Sequence, residues 1–215
     1  QLTFGLFYDR LTQLPNRTLL LDRITRSLLA CQHDEHIGIL LVDVNRFRSI
    51  NERFGHQFGD QLLVTWATRL RRCLQPTDTL ARIGVDDFAI VRSGSPGEGA
   101  MMALGREVEE LARHPFRLPR ETINLSATVG IALSEEGETE AGALLRDGQT
   151  ALFQAKSGNR SNNRVLMFNR SMRTEVLGSH RLMNDLPQAI GRDELFLQYQ
   201  PVVDLAQARV VGLEA

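Results

Sequence analysis

The chain has 215 residues, with 25 basic against 26 acidic side chains for a net charge of −1, and 42% of its residues are hydrophobic. That balance excludes the broad basic surface of non-specific nucleic-acid binding, and the longest aliphatic stretch, Ile39–Val42, is far below the ~20 residues of a membrane-spanning helix, so neither nucleic acid nor a membrane is expected as a partner of this segment. The length predicts one complete domain plus an appendage, and Cys31 and Cys73, each on an apolar helical face, predict small core thiols in a reducing, cytoplasmic compartment.

Leu20, Ile24, Leu28 and Cys31 recur near a 3.6-residue period, which predicts an amphipathic helix from Asn16 to Cys31 with Asn16 as its cap. Ile37–Val42 reads as a buried strand ending at an acid, Asp43. A short helix is expected around Arg46–Arg53, broken by Gly55. A longer one carries Leu62, Leu63, Trp66, Leu70 and Leu74 and stops at Gln75-Pro76-Thr77-Asp78. Thr79–Ile83 and Phe88–Val91 flank Gly84-Val85-Asp86-Asp87, which has hairpin-turn length and composition. Met101, Leu104, Val108 and Leu111 mark a helix, Ile123–Leu133 a long strand, and Glu140–Lys156 a last helix. This order predicts an α+β fold with helices packed on a mostly antiparallel sheet. Beyond Phe168 the pattern predicts a broken connecting helix, then strands over Leu195–Val203 and Ala208–Leu213 that open a new unit.

Asp43 at a strand end and Asp86 with Asp87 at a hairpin tip are carboxylates that a sheet can bring together, and hard oxygen ligands suit Mg²⁺. Local turn hydrogen bonding accounts equally well for any one of them taken alone. Phe47 and Arg48 open a helix whose free N–H groups favour phosphate. Lys156 and Arg160, four apart, share a helical face that can clamp phosphates, although a cationic helix end favoured by the macrodipole gives the same spacing. Asn51 and Asp60 have the donor and acceptor groups to pair with a purine edge. The chemistry reads as Mg²⁺ plus a nucleotide phosphate.

Several motifs in order and spacing resemble the GGDEF, or diguanylate cyclase, domain over about residues 8–168. They are Asp9-Arg10-Leu11-Thr12, Val42-Asp43-Val44-Asn45-Arg46-Phe47-Arg48-Ser49-Ile50-Asn51, Phe54-Gly55-His56 with Gly59-Asp60, Ala81-Arg82-Ile83-Gly84-Val85-Asp86-Asp87-Phe88, and Ala151–Lys156. Leu197-Gln198-Tyr199-Gln200-Pro201-Val202-Val203 and Gly212-Leu213-Glu214-Ala215 resemble the opening of an EAL phosphodiesterase domain, cut inside its naming motif at Glu214. The resemblance implies a GGDEF domain over residues 1–168, a linker helix over 169–193 and the first EAL strands over 194–215. It also implies a palm-like, ferredoxin-like sheet of the nucleotidyl-cyclase kind, working as a homodimer in which each copy brings one GTP. By position, Asp43, the Val44 carbonyl and Asp86 would hold Mg²⁺ or Mn²⁺, and Asp86 and Asp87 would be the catalytic acids. Asn51 and Asp60 would read guanine, while Phe47, Arg48, Lys156 and Arg160 would hold phosphates.

The sequence departs from the family pattern at the signature loop, where Val85 replaces a glycine and Asp87 a longer acid. If position 85 needs positive φ, valine strains the loop by about 1–3 kcal/mol and displaces Asp86. An Arg-x-x-Asp product-inhibition site is reduced to Gln75 and Asp78, losing the bidentate grip of the arginine. Gly148-Gln149 and Asn159-Arg160-Ser161 also differ from the family's final helix. These departures lead to the expectation of a GTP-binding regulatory module with impaired cyclase activity, attached to an EAL domain. An active cyclase and a non-catalytic dimerisation scaffold are the alternatives.

Overall fold

The computed structural model describes residues 4–31, 35–119, 121–135, 137, 139–157, 164–174, 189, 191–192, 194 and 196–214. Two compact units emerge, residues 1–173 and 174–215. A short helix α1 (Phe4–Phe7) leads to α2 (Arg17–Ala30), whose first turn is closed by the Asn16 side chain accepting from the Leu19 N–H. Strand β1 (Gly38–Val44) follows, then α3 (Phe47–Phe54) and α4 (His56–Arg71) divided by Gly55 at φ 85°, a value that suits glycine. Next come β2 (Thr79–Arg82), β3 (Asp87–Arg92), α5 (Glu98–Arg113), β4 (Phe116–Arg117), β5 (Thr122–Ile123), β6 (Ala127–Leu133), α6 (Ala141–Ser157) and β7 (Val165–Met167).

The main sheet runs β2-β3-β1-β6-β7. All its pairs are antiparallel except β6 with β7. β1 is buried along its whole length because helices cover both faces. Leu40, Val42 and Val44 meet Leu62, Leu63, Trp66, Leu104 and Val108 of α4 and α5, while Ile39 and Leu41 meet Leu20, Ile24, Leu28, Leu144 and Leu145 of α2 and α6. An unbroken aliphatic run, not an alternating one, is what such a sandwiched strand needs. α6 lies close on the sheet through glycine: a Cβ at Gly130 of β6 would collide with backbone atoms of Gly148 and Leu152. On the helix side, Gly148 leaves room for Leu41, whose Cγ would sit 3.2 Å from an added Cβ.

Two expectations are corrected. The strand expected from Ile123 to Leu133 is two pieces, β5 and β6, because residues 124–126 leave the ladder and Ser126 turns its carbonyl to the Asn45 N–H at 2.9 Å. β7, three residues long, shows no readable period, and its edge position closes the sheet with the one parallel pair. Most of the expected connecting helix lies outside the described residues. Its start, residues 170–173, belongs to the first unit and is held there by two bidentate pairs, Arg170 with Glu135 and Arg173 with Asp147.

In the second unit β8 (Gln200–Asp204) and β9 (Arg209–Glu214) form an antiparallel hairpin. Its apolar side chains are exposed, Leu205 by 92% and Phe196, just before it, by 79%.

Candidate metal and nucleotide site

The sheet register builds the centre of the site. Asp43 of β1 stands directly opposite Asp87 of β3, and Asp86 precedes Asp87 at the hairpin tip. Directly paired residues in antiparallel strands bring their side chains within contact range. Asp43 has the parity of Ile39 and Leu41, so it points to the α6 face, where the Lys156 Nζ meets its carboxylate at 2.5 Å. One carboxylate oxygen from each of Asp43, Asp86 and Asp87 lies within 4.8 Å of the others. Gly84 makes room for this, since a Cβ there would fall on the Asp87 carboxylate.

Three acids this close resist sharing their charge. Burial first, then Asp43, pushes the Asp86 carboxyl up. Burial together with Asp43 and Asp86 pushes Asp87 to about 6, against the pull of Lys156. Lys156 supplies only part of the missing positive charge. A hard divalent cation coordinated by oxygen fits this donor set.

The signature loop differs from its sequence expectation. Among the described residues the non-glycine positive-φ positions are Gln13, Arg46, Ser95 and Ala208, so Val85 sits in ordinary backbone and stores no left-handed strain. Asp86 therefore stays with Asp43. The isopropyl group is 67% exposed and lines a cleft of about 440 Å³ together with Phe47, Arg48, Asn51, Glu52, His56 and Asp86. Valine here changes the space in the cleft, not the shape of the turn.

Around that cleft, α3 starts with no side chain capping its N-terminal N–H groups. The Phe47 ring is buried in the core, so its part in the cleft falls to its backbone at the start of α3. Arg48 is 91% exposed and bonded to Glu52 one turn on. The Asn51 Oδ1 is buried with no hydrogen-bond partner, and it packs so close to Gly59 that a Cβ there would overlap it. Asp60, next to Gly59 on α4, is exposed and lines a shallow groove with Gln57, Gln61 and Arg117. Arg160 lies outside the described residues.

The Asp78 side chain is fully buried and already committed. It accepts from the Gln75 N–H at 2.9 Å and from Arg92 at 3.0 and 2.6 Å. Glu214 is exposed in β9, at the far end from the turn.

One positioning residue, Arg82, escaped sequence reasoning. Its guanidinium bonds Asp9 at 3.1 and 3.2 Å and the Val85 carbonyl at 2.6 Å, while its backbone N–H donates to Pro15. Burial raises the Asp9 carboxyl, but bonds from Thr12 and Arg82 outweigh it and leave Asp9 below the ordinary range. The spacing Asp9-x-x-Thr12 was a visible turn signal, yet nothing local in the sequence links it to a residue 73 positions away.

A mostly antiparallel sheet with helices on both faces and three carboxylates gathered at the ends of β1 and β3 defines a palm-like α+β domain of the nucleotidyl-cyclase type. A family model described as diguanylate cyclase, GGDEF domain, matches residues 6–162. The chain is 33% identical over 211 residues to the bifunctional diguanylate cyclase/cyclic di-GMP phosphodiesterase MucR of Pseudomonas aeruginosa, covering 97% of this chain and 30% of MucR. It is 35% identical over 164 residues to the diguanylate cyclase TpbB of the same species, covering 75% of this chain and 38% of TpbB. The solved GGDEF domain of TpbB superposes with a TM-score of 0.73 at 31% identity, covering 79% of this chain and 99% of that structure. The chain thus spans well under half the length of these two curated relatives. It belongs to the diguanylate cyclase (GGDEF) domain family, the domain of cyclic di-GMP signalling.

Proposed function

We propose that this domain binds GTP with Mg²⁺ or Mn²⁺ and serves as a regulatory module with impaired cyclase activity, in a protein that continues into an EAL phosphodiesterase domain. The observation that carries the reading is the juxtaposition of the Asp43–Asp86–Asp87 cluster with a cleft holding the unsatisfied Asn51 Oδ1. Asp43, Asp86 and the Val44 carbonyl would hold the cation, with Asp87 beside them, and the bound ion would supply charge stabilisation at the reacting phosphate. Lys156, Arg48 and the α3 N–H groups would attract phosphates, and Asn51 would accept from the guanine edge, with Asp60 as its partner. Val85 narrows the cleft and so disfavours the close approach of two nucleotides that a homodimeric cyclase needs.

The EAL reading draws support from coverage. The match to MucR extends over 97% of the chain, whereas that to the cyclase TpbB stops at 75%. The hairpin of β8 and β9 also exposes apolar side chains that a larger domain would cover.

A second reading, a working cyclase, is favoured by the unstrained backbone at Val85 and the intact carboxylate cluster. Calorimetric titration with GTP, with and without Mg²⁺ and with Asp60→Ala as control, tests both. Mg²⁺-dependent binding lost in the variant is the expected result, and no heat up to millimolar GTP, about 4 kcal/mol of binding, overturns the nucleotide readings. Cyclic di-GMP made by Val85→Gly but not by the parent chain selects the module. Synthesis by both selects the cyclase.

A further inference from the structure

A second concavity, larger than the cleft at Val85, adjoins the carboxylate centre. An open groove of about 1140 Å³ lies on the other flank of β1, between Asn45–Phe54, the segment Glu121–Ser126, and Lys156 with Arg164. Its charge is one-sided. Arg46, Arg53, Lys156 and Arg164 line it against one acid, Glu121. Among the described residues, Arg46, Arg53 and Arg164 have no carboxylate partner; Arg53 only stacks over the Phe54 ring at 4.8 Å. Surface arginines normally find an acid or water, and three left without an acid around one concavity form a field for an anion.

At its floor, Asn45 donates to the Ser126 Oγ at 3.1 Å and accepts from the Thr128 Oγ1 at 2.9 Å, so these side chains are already engaged with one another. Arg46 is held at φ 58°, a left-handed conformation that costs a non-glycine residue about 1–2 kcal/mol. Strain of this kind persists where the surroundings over-determine it. Here β1 is anchored through Asn45 on one side and α3 starts on the other. Lys156 belongs both to this groove and to the carboxylate centre, through its bond to Asp43.

We infer that this groove is a polyphosphate site that opens from the carboxylate centre at Lys156 and takes a diphosphate group on Arg46, Arg53 and Arg164. Planar guanidinium groups suit phosphate oxygens two at a time, and several of them in a row suit an anion with more than one phosphate. The same chemistry has two sources: free inorganic diphosphate, or the tail of a nucleoside triphosphate whose base lies elsewhere. The identity of a physiological source rests on the nucleotide reading above. The groove's affinity for diphosphate does not.

The test is titration of the whole chain with inorganic diphosphate in chelator, so that no divalent ion bridges it to the carboxylates. Orthophosphate is the weaker comparison, and Arg164→Glu and Arg53→Glu are the variants. Expected is saturable binding, stronger for diphosphate than for orthophosphate, weakened about tenfold or more by either variant, the scale of one lost charge-assisted bond, and reduced by added salt. Arg53 is exposed on α3, so its variant keeps the test open if Arg164→Glu fails to fold. No binding by the parent chain, or binding that both folded variants leave unchanged, overturns the site.

GTP with Mg²⁺ separates the sources. Affinity that falls in Arg164→Glu assigns the groove to a triphosphate tail. GTP affinity that is unchanged while diphosphate affinity falls assigns it to free diphosphate. If the chain binds diphosphate but no GTP, the proposed function fails and the groove stands.

Discussion

Arg82 holds the signature loop by a single side chain, and its removal has two consequences that can be measured apart. Arg82→Ala leaves the half-buried Asp9 without its cation and frees the Val85 carbonyl. Losing one partner of a largely buried pair predicts destabilisation of about 2–3 kcal/mol, read as a shift of the urea midpoint at unchanged slope. Mg²⁺-dependent nucleotide affinity falls in the same variant, because Asp86 follows the loop. Asp87 gives the complementary case. Its carboxyl is raised from 3.8 to about 6 by burial and by its two acidic neighbours, so between those values the folded chain keeps a proton that the unfolded chain has released. Stability of the metal-free protein therefore falls as pH rises through that window and is recovered on acidification. Asp87→Asn is expected to flatten this part of the melting-temperature profile, raise the melting temperature at pH 8 without metal, and weaken the stabilisation that Mg²⁺ brings. A profile between pH 4.5 and 8 that keeps the parent slope in the variant would assign the effect to another group. At this scale the acids were legible in the sequence, because turn position and charge are local properties. The backbone angle of Val85 and the burial of the Phe47 ring were not, because each depends on contacts with distant parts of the chain.

Helix α6 delivers Lys156 to Asp43, and the contact that sets its height above the sheet is made by glycine. A methyl group at Gly130 would meet the backbone of α6 at Gly148 and Leu152, and backbone cannot rotate aside as a side chain can. Gly130→Ala is thus expected to lift the helix, cost about 1–3 kcal/mol, and separate Lys156 from Asp43. Chemical denaturation checks the first effect, and loss of Mg²⁺-GTP affinity beyond that of a comparably destabilising core variant checks the second. Element identity read well from sequence wherever a buried stripe was long. The stripe of α2 (Leu20, Ile24, Leu28) and the unbroken run of β1 both lie where their periodicity predicts. It read poorly where pairing partners decide. β7 is three residues stabilised by β6, and the β5–β6 break exists because Asn45 claims the backbone and hydroxyl of Ser126. Gly148, an irregularity of the final helix in sequence, acquires its reason only against Leu41.

On the scale of the molecule, both apolar cores are built from residues up to Phe168, yet the first compact unit extends to Arg173. The extra turn brings both apolar burial, with Met172 7% exposed, and charge. Asp147 is 6% exposed on α6, and Arg173 satisfies both of its oxygens at 2.9 and 2.7 Å. A chain ending at residue 173 keeps every residue of both cores and the Asp147–Arg173 pair, and should then keep the melting temperature of the first unit. A chain ending at residue 168 strands a buried carboxylate. Because the Arg173 side chain is itself 49% exposed, the part of the loss due to charge is about 2 kcal/mol, below that of a fully buried pair, or about 4–8 °C in melting temperature for a domain of this size. Asp147→Asn in the shorter chain should restore most of that part, since it removes the charge that needs a partner while keeping the volume. Equal melting temperatures for the two truncated chains would mean that water satisfies Asp147 as well as Arg173 does, and that the fold ends where its apolar cores end.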